Sequence, residues 1–133
     1  MKRKFLFALL FTALILSACG ASKPSAEISV EMTDFAFTPS QYTVLAGKEI
    51  TLNATHEGMV EHDFVIMKLN TDVGGHFNEE DLTNVYWQVK IQPGDSQTLT
   101  FTAPSEPGTY QIVCGMAGHV EAGMVGQLIV VEQ

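Results

Sequence analysis

Four side chains in this 133-residue sequence are of types that bind a redox-active metal. Cys114, His119 and Met124 lie in one short segment, CGMAGHVEAGM, and His62 lies upstream in EHDFVI. One thiolate, two imidazoles and one thioether form the ligand set of a type 1 copper centre, in which a His₂Cys plane carries a weak axial methionine. Such centres transfer electrons, and this set of side chains therefore predicts a copper-dependent electron carrier.

The segments around these side chains have the alternating pattern of short β-strands. Apolar and polar residues alternate over 28–32, and Phe35 and Phe37 extend the pattern. Further strands are predicted at residues 42–45, 49–53, 64–68, 98–102, 109–114 and 128–131. About seven to eight strands predict an all-β fold, an antiparallel β-sandwich. One short helix is expected at 78–86, with Asn78 as its N-cap.

Strand geometry suggests how the four candidate ligands meet. Tyr110, Ile112 and Cys114 share one face of a strand, because strand side chains alternate with a period of two, and Cys114 is thereby aimed inward. The next segment can turn back sharply because it contains glycines at positions 115, 118, 123 and 126. His62 begins another strand, so the ligands come from one remote strand and one compact loop. We expect a cavity that is formed before metal binds.

The first 18 residues have the layout of an export signal. A basic start at residues 2–4 precedes an apolar run over 5–16, which is shorter than the roughly 20 residues of a membrane-spanning helix. The run LSAC at 16–19 resembles a bacterial lipoprotein signal. This resemblance implies cleavage before Cys19 and attachment of lipid to its sulfur. Ordinary signal cleavage nearby is the alternative.

On this interpretation the chain has three parts: a removed signal at 1–18, a lipidated cysteine with a short linker at 19–27, and a domain at 28–133. Eight fully extended linker residues reach at most about 28 Å. A lipid anchor would therefore hold the domain close to the outer face of the cell membrane, or to the periplasmic face of a membrane. The sequence predicts an exported, membrane-tethered protein.

The charge of the mature chain is strongly negative. Removing residues 1–18 takes three of the seven basic residues and none of the 15 acidic ones, which leaves four lysines and a net charge of −11. No basic patch remains to neutralise phosphates, and this argues against nucleic-acid binding. The acids should instead steer the domain toward basic partners.

The sequence contains two cysteines, Cys19 and Cys114. A disulfide between them is one alternative, because exported proteins usually pair their cysteines. If Cys19 carries lipid, Cys114 is a single thiol in an oxidising compartment, where an unprotected thiol reacts. Binding of a metal removes that reactivity, so the cysteine count favours a metal site.

Three segments resemble the cupredoxins, the small blue copper proteins: PGTYQIVCGMAGHVEAGMVGQLIVV, FAFTPSQYTVLAGKEI and EHDFVI. The likeness covers nearly all of the mature chain. It implies a Greek-key β-sandwich and a protein that is not an enzyme. Four residues separate Cys114 from His119, and four separate His119 from Met124. Among single-domain carriers of the auracyanin, plastocyanin and azurin types, this spacing looks most like the membrane-attached auracyanins.

The resemblance also implies the roles of particular residues. His62, Cys114 and His119 are the implied equatorial ligands of one copper ion, and Met124 is the axial ligand. We expect a monomer that meets its redox partners, such as a cytochrome or a membrane oxidoreductase, only transiently. Apolar residues near His119 are expected to form a docking collar: Met59, Val60, Met116, Ala117, Val120 and Ala122. Acids at 57, 61 and 121 would orient a basic partner.

Two positions depart from the cupredoxin pattern. Many cupredoxins have asparagine directly after the first histidine ligand, whereas this chain has Asp63. An ionised aspartate accepts hydrogen bonds without donating them and adds negative charge beside the metal, so Asp63 should favour oxidised copper. Ala117 occupies a position where proline often stiffens the loop. The loop should consequently be more mobile without metal.

Other sites and functions are less consistent with the sequence. His56 and His76 lie outside the cupredoxin pattern and are interpreted as surface residues. Zinc could enter the same cavity, but one thiolate and two imidazoles leave no obvious catalytic water or base. The chain is too short for a multicopper oxidase. A copper-delivery protein of the same fold is the main alternative, although a buried thiolate opposes metal release.

Overall fold

Nine strands lie within residues 22–133, the part of the chain that the computed structural model describes. In chain order they are β1 (Glu27–Thr33), β2 (Ala36–Thr38), β3 (Gln41–Leu45), β4 (Glu49–His56), β5 (His62–Met67), β6 (Val85–Ile91), β7 (Ser96–Thr102), β8 (Gly108–Val113) and β9 (Val125–Val131). A 3₁₀ helix, Glu79–Asn84, precedes β6. The predicted all-β fold is confirmed.

The strands form two sheets, in the orders β2-β1-β4-β7 and β3-β9-β8-β5-β6. Most neighbours are antiparallel, but β1 pairs in parallel with β4, and β3 with β9. The sandwich is therefore mixed, and the expectation of a purely antiparallel arrangement is wrong. Parallel neighbours cannot be joined by a tight hairpin turn, so local turn signals do not reveal them.

The segment after β1 turns back where the sequence pattern predicted a continuous strand. Asp34 and Phe35 form the turn, with Phe35 at φ +69°, and β2 then pairs antiparallel with β1. Phe37 lies opposite Met32 and is buried with it in the core. Left-handed backbone is uncommon for a bulky residue such as phenylalanine. The alternation of apolar residues continued across the turn and concealed it.

The parallel pair β1–β4 places two connections side by side. Met32 near the end of β1 is in register with His56 at the end of β4. Both strands run in one direction and end at the same edge of the sheet. The turn at 34–35 and the loop at 57–61 therefore emerge together, next to the start of β5.

Regular alternation buries one face of each strand between the sheets. In β4, Ile50, Leu52 and Ala54 are almost completely buried. From β8, Tyr110 and Ile112 join the same core, as predicted from their spacing. Full burial of an aliphatic side chain contributes about 1.5–3 kcal/mol, so this core gives the site a rigid base.

The predicted short helix is present as a 3₁₀ helix that ends before 86. Asn78 is its N-cap: the side-chain Oδ1 accepts from the Glu80 N–H (2.8 Å), and Asp81 accepts from the Asn78 N–H (2.9 Å). Strand β6 follows directly, and its alternation was not recognised in the sequence. Among the described residues, no helix has both the length and the apolar character needed to cross a membrane.

The described part of the expected linker lies against the domain. The hydroxyls of Ser22 and Thr43 are 2.7 Å apart, and the Ser25 N–H donates to the Thr43 carbonyl (2.9 Å). The Ala26 carbonyl accepts from Thr51. The signal at 1–18 and the lipid site at Cys19 lie outside the described residues.

Candidate metal centre

The structure brings together three of the four predicted ligand residues by their donor atoms. The Cys114 Sγ lies 3.2 Å from His119 Nδ1 and 3.8 Å from His62 Nδ1, and the two Nδ1 atoms are 3.1 Å apart. All three residues are buried. Three donor atoms at this spacing could bind one metal ion.

Each ligand is fixed by the element that carries it. Cys114 directly follows β8, and its inward direction continues the alternation of that strand. His62 is the first residue of β5 and pairs with Ile91 of β6. His119 and Met124 lie in the loop between β8 and β9, and the predicted contribution from a remote strand and a compact loop is observed.

The loop from Cys114 to Met124 is closed by its own backbone. The Cys114 N–H donates to the Met124 carbonyl (3.2 Å), and the Met124 N–H donates to the His119 carbonyl (2.9 Å). Gly118 and Gly123 have φ of +85° and +97°, a backbone region that glycine enters without steric cost. Met124 is fully buried in the core cluster that contains Cys114. Backbone hydrogen bonds and two left-handed glycines thus close the loop, with Ala117 at the position where many cupredoxins have proline.

Burial shifts the pKa values of two ligand groups in the metal-free site. It raises the pKa of the Cys114 thiol, while the backbone N–H of Asp63, 3.3 Å from Sγ, acts in the opposite direction. Burial also lowers the pKa of His62, with the neighbouring His56 as a further cause. An uncharged imidazole can bind metal directly, whereas the thiol releases its proton when it becomes a ligand.

The donor atoms fit one copper ion. Metal–nitrogen and metal–sulfur bonds of about 2.0–2.3 Å separate the ligands of a trigonal plane by roughly 3.5–3.7 Å, and the observed separations are 3.1–3.8 Å. The set combines a soft thiolate with two imidazoles, and a buried thioether lies in the same cluster. His62, Cys114, His119 and Met124 are thus arranged like a type 1 copper site.

Asp63 lies beside the Cys114 sulfur, with its backbone nitrogen 3.3 Å from Sγ. It is half-buried, its Oδ1 has no hydrogen-bond partner within residues 22–133, and burial raises the pKa of its carboxyl group. A Cβ on Gly115 would lie 3.0 Å from Asp63 Oδ2 and 3.4 Å from the Phe77 ring. This side of the site is consequently close-packed.

The residues predicted to form the docking collar differ in their exposure. Met59 is 83% exposed and Val60 44% exposed, and Ala117 and Ala122 are also exposed, whereas Met116 is half-buried.

Val120 is buried and belongs to a small cluster with Val65 and Val113. Its place in an exposed collar is therefore wrong, because the ligand loop folds this side chain onto the sheet.

Phe35 lies beside His119, a position that the sequence did not reveal. Its side chain is 44% exposed, and its ring meets His119 edge-on with centroids 5.1 Å apart. Asp34 directly before it is a common turn residue and was the one local signal that the strand ends there. Recognition of the turn would have separated Phe35 from the core positions.

His56 is buried, and the interpretation of it as a surface residue is wrong. Only 1% of the side chain is exposed, and its ring stacks on His62 at 4.6 Å with an interplanar angle of 19°. The alternation of Ile50, Leu52 and Ala54 continues to this position, and that pattern could have predicted the burial. His76 is exposed, as predicted.

Two carboxylates near the site have partners. Asp34 Oδ1 accepts from the Met59 N–H (2.8 Å) and lies 3.5 Å from His62 Nε2. Hydrogen bonding to Met59 lowers the pKa of Asp34. Glu61 pairs with Lys90 at 2.8 Å, so one of the three acids expected to steer a partner is already neutralised.

Comparison with known proteins gives the relationship of this chain. The cupredoxin-like domain family matches residues 6–130. The chain is 28% identical over 116 residues to the copper-resistant cuproprotein CopI of Rubrivivax gelatinosus, covering 83% of this chain and 69% of CopI. It is 24% identical over 147 residues to auracyanin-A of Chloroflexus aurantiacus, covering 89% and 90% of the two chains.

Solved structures of auracyanins are similar to this chain as well. The dithionite-reduced auracyanin of Roseiflexus castenholzii superposes with a TM-score of 0.71 at 30% identity, covering 82% of this chain and 99% of that one. Auracyanin B superposes with a TM-score of 0.67 at 25% identity, covering 84% and 93%. Fold, ligand arrangement and relatives confirm the predicted family and agree with the prediction that the chain is not an enzyme. This chain belongs to the cupredoxin family.

Proposed function

We propose that the protein is a single-electron carrier that holds one type 1 copper ion. The observation that carries the proposal is the fully buried Cys114 sulfur, which faces two imidazole nitrogens at 3.2 and 3.8 Å. Bound copper supplies a reversible Cu(II)/Cu(I) couple. The protein supplies a site whose ligands are already in place, so that the change of charge needs little rearrangement.

Electrons would enter and leave at His119. This ligand is 8% exposed, whereas His62 and Cys114 are completely buried. The exposed side chains of Phe35 and Met59 lie on the connections that emerge beside the site. An apolar surface of this kind suits brief docking, because small interfaces give weak complexes that dissociate quickly.

The partners we propose are redox proteins, such as a cytochrome or a membrane oxidoreductase, with basic groups around their docking surface. Glu57 and Glu121 are exposed near the collar and would orient such a partner. Their interaction should weaken as ionic strength rises, since surface charges are screened. We expect the protein to act as a monomer.

We propose that a lipid on Cys19 tethers the domain to the outer face of the membrane. Residues 22–26 bond to the domain, which supports a close attachment. The three residue steps from Cys19 to Ser22 span at most about 11 Å. The tether that remains free of the domain would therefore be shorter than the roughly 28 Å of the fully extended linker.

Copper delivery is the second candidate function. The copper-resistance role in the name of CopI and the highly exposed Met59 thioether favour it. Against it, a delivery protein must release Cu(I), and a buried thiolate with two imidazoles holds the ion from three sides. We therefore rank electron transfer first.

The test is to add Cu(II) to the purified protein and record its visible and EPR spectra. We expect intense blue colour from thiolate-to-copper charge transfer, reversible bleaching by a mild reductant, and loss of the colour in Cys114→Ser. Met59→Leu, which removes an exposed thioether outside the site, is the matched control and should stay blue. A colourless protein that binds only Cu(I) and passes it to an acceptor would favour delivery.

A further inference from the structure

The outer ring nitrogen of the ligand His62 faces a carboxylate. Its Nδ1 points to Cys114 and His119, and its Nε2 lies 3.5 Å from Asp34 Oδ1. The Nε2 atom is buried and has no hydrogen-bond partner elsewhere in the described chain. A buried N–H at this position would be unfavourable without an acceptor, and the Asp34 carboxylate is the acceptor within reach.

Strand pairing, a hydrogen bond and close packing hold Asp34 in this place. The parallel register of β1 and β4 brings the turn after β1 beside the loop after β4. There the Met59 N–H donates to Asp34 Oδ1 at 2.8 Å. The loop is close-packed as well, because a Cβ on Gly58 would overlap Asp34 Oδ1 and lie 3.1 Å from the His56 ring.

His56 fixes the plane of the same ligand. Its Nδ1 accepts from the Gly58 N–H (3.0 Å), and its Nε2 donates to the Val60 carbonyl (2.7 Å). Both ring nitrogens are therefore used within the loop. The imidazole then presents only its face to His62, on which it stacks nearly parallel.

We propose that Asp34 is a positioning residue of the copper site: it accepts the Nε2 proton of His62 and so keeps the Nδ1 lone pair directed at the metal. His56 stacks on the His62 ring and so keeps that ring in its plane. The inference rests on the proposed copper site and deepens it. Metal-bound histidines commonly donate their second N–H to a carboxylate or carbonyl, which fixes the tautomer and raises ligand basicity.

The alternative is that Asp34 only ties down the loop through Met59. The two roles differ in what they predict for His62. A tether alone leaves the proton of His62 where it was when Asp34 is removed, whereas a positioning residue controls which ring nitrogen carries that proton. The tautomer of His62 in the metal-free protein therefore separates them.

The first experiment records ¹⁵N NMR of the histidine rings in metal-free wild type, Asp34→Ala and Glu31→Gln. Glu31 is an exposed acid on the same strand and makes no side-chain hydrogen bond within residues 22–133. We expect the His62 proton on Nε2 in wild type and in the control, and a second tautomer in Asp34→Ala. Copper affinity of Asp34→Ala should fall roughly 10- to 100-fold.

A second variant keeps the test decisive if Asp34→Ala does not fold. Asp34→Asn retains an oxygen for the Met59 N–H but removes the charge opposite Nε2. Its reduction potential should rise relative to wild type, because His62 becomes a weaker donor to Cu(II), and its copper affinity should fall less than that of the alanine variant. The control Glu31→Gln should change neither quantity.

An Asp34→Ala protein with His62 still protonated only on Nε2 and copper affinity within about twofold of wild type would overturn the proposal. An Asp34→Asn potential equal to wild type would do the same. Either result leaves the blue wild-type spectrum untouched, so it would remove the role of Asp34 alone. A colourless wild type would instead remove the proposed function, while the tautomer measurement remains interpretable.

Discussion

The two histidine ligands occupy different surroundings. His62 is completely buried, lies in a strand, and is stacked on His56 with Asp34 at its outer nitrogen. His119 belongs to a loop, is 8% exposed, and makes a T-shaped contact with the partly exposed Phe35 ring. We infer a division of labour, in which the strand ligand holds the metal and the loop ligand connects it to the surface.

Removal of each imidazole in turn should reveal the largest difference between the two ligands. His119→Gly and His62→Gly should both lose the blue spectrum, but added imidazole should restore it in His119→Gly at a concentration at least about tenfold lower. The surface opening at His119 admits the small ligand, whereas the stacked His56 and the core close the other position. Spectrophotometric titration with imidazole measures the difference, and His76→Gly is the control that stays blue. Equal concentrations for both variants would contradict the proposed asymmetry.

A methyl group at Gly58 should disturb the surroundings of His62 and leave those of His119 unchanged. The added Cβ would meet Asp34 and His56, and relief of such overlap typically costs about 1–3 kcal/mol. We expect Gly58→Ala to lower the free energy of unfolding of the metal-free protein by this amount in urea denaturation.

Gly75→Ala is the matched control for that measurement, since nothing lies within 4 Å of a Cβ built there. Its stability should stay within about 0.5 kcal/mol of wild type. Gly58→Ala with the same stability as Gly75→Ala would show that the loop at 57–61 adapts freely.

Phe35→Ala should act on the His119 side. Loss of the ring exposes the ligand to water, which stabilises Cu(II) more than Cu(I), so the reduction potential should fall. Voltammetry measures the change, with the exposed Leu82→Ala on the 3₁₀ helix as control. A higher potential in Phe35→Ala would mean that the ring does not shield the site.

Asp63→Asn should change the reduction potential in the opposite direction and raise it. The variant removes negative charge beside the Cys114 sulfur, and the reduced site, which carries one positive charge less, becomes easier to form. We expect a higher potential in the variant, and the difference from wild type should increase with pH, because burial raises the pKa of the native carboxyl group and its negative charge is present only above that pKa. Asp72→Asn, at an exposed position, is the control, and an unchanged or lower potential in Asp63→Asn would refute the prediction.

The ligand loop was predictable because its information is local. Cys114, His119 and Met124 lie within one segment, and the two-residue period of a strand is enough to aim Cys114 inward. Asn78 as a helix cap was also visible, since capping depends on residues only three positions apart. The β-sandwich followed in the same way from alternation and turns.

The contacts that Asp34, Phe35 and His56 make around the two histidine ligands were not predictable in this way. Contacts of Asp34 with Met59 and of Phe35 with His119 join residues that are remote in sequence, and they depend on the parallel pairing of β1 with β4. No local pattern encodes that register. Burial of His56 was missed for a different reason, because histidine has no strong preference for the interior and its place in the alternation was overlooked.

The shared edge of β1 and β4 also bears on how such a protein can change over generations. Two residues of a tight bend, neither of them a predicted ligand, contact the two imidazoles: Asp34 lies near His62 and Phe35 packs on His119. Replacements at this bend can alter the driving force for electron exchange while the four donor side chains stay the same. A single scaffold can thereby serve partners of different potential.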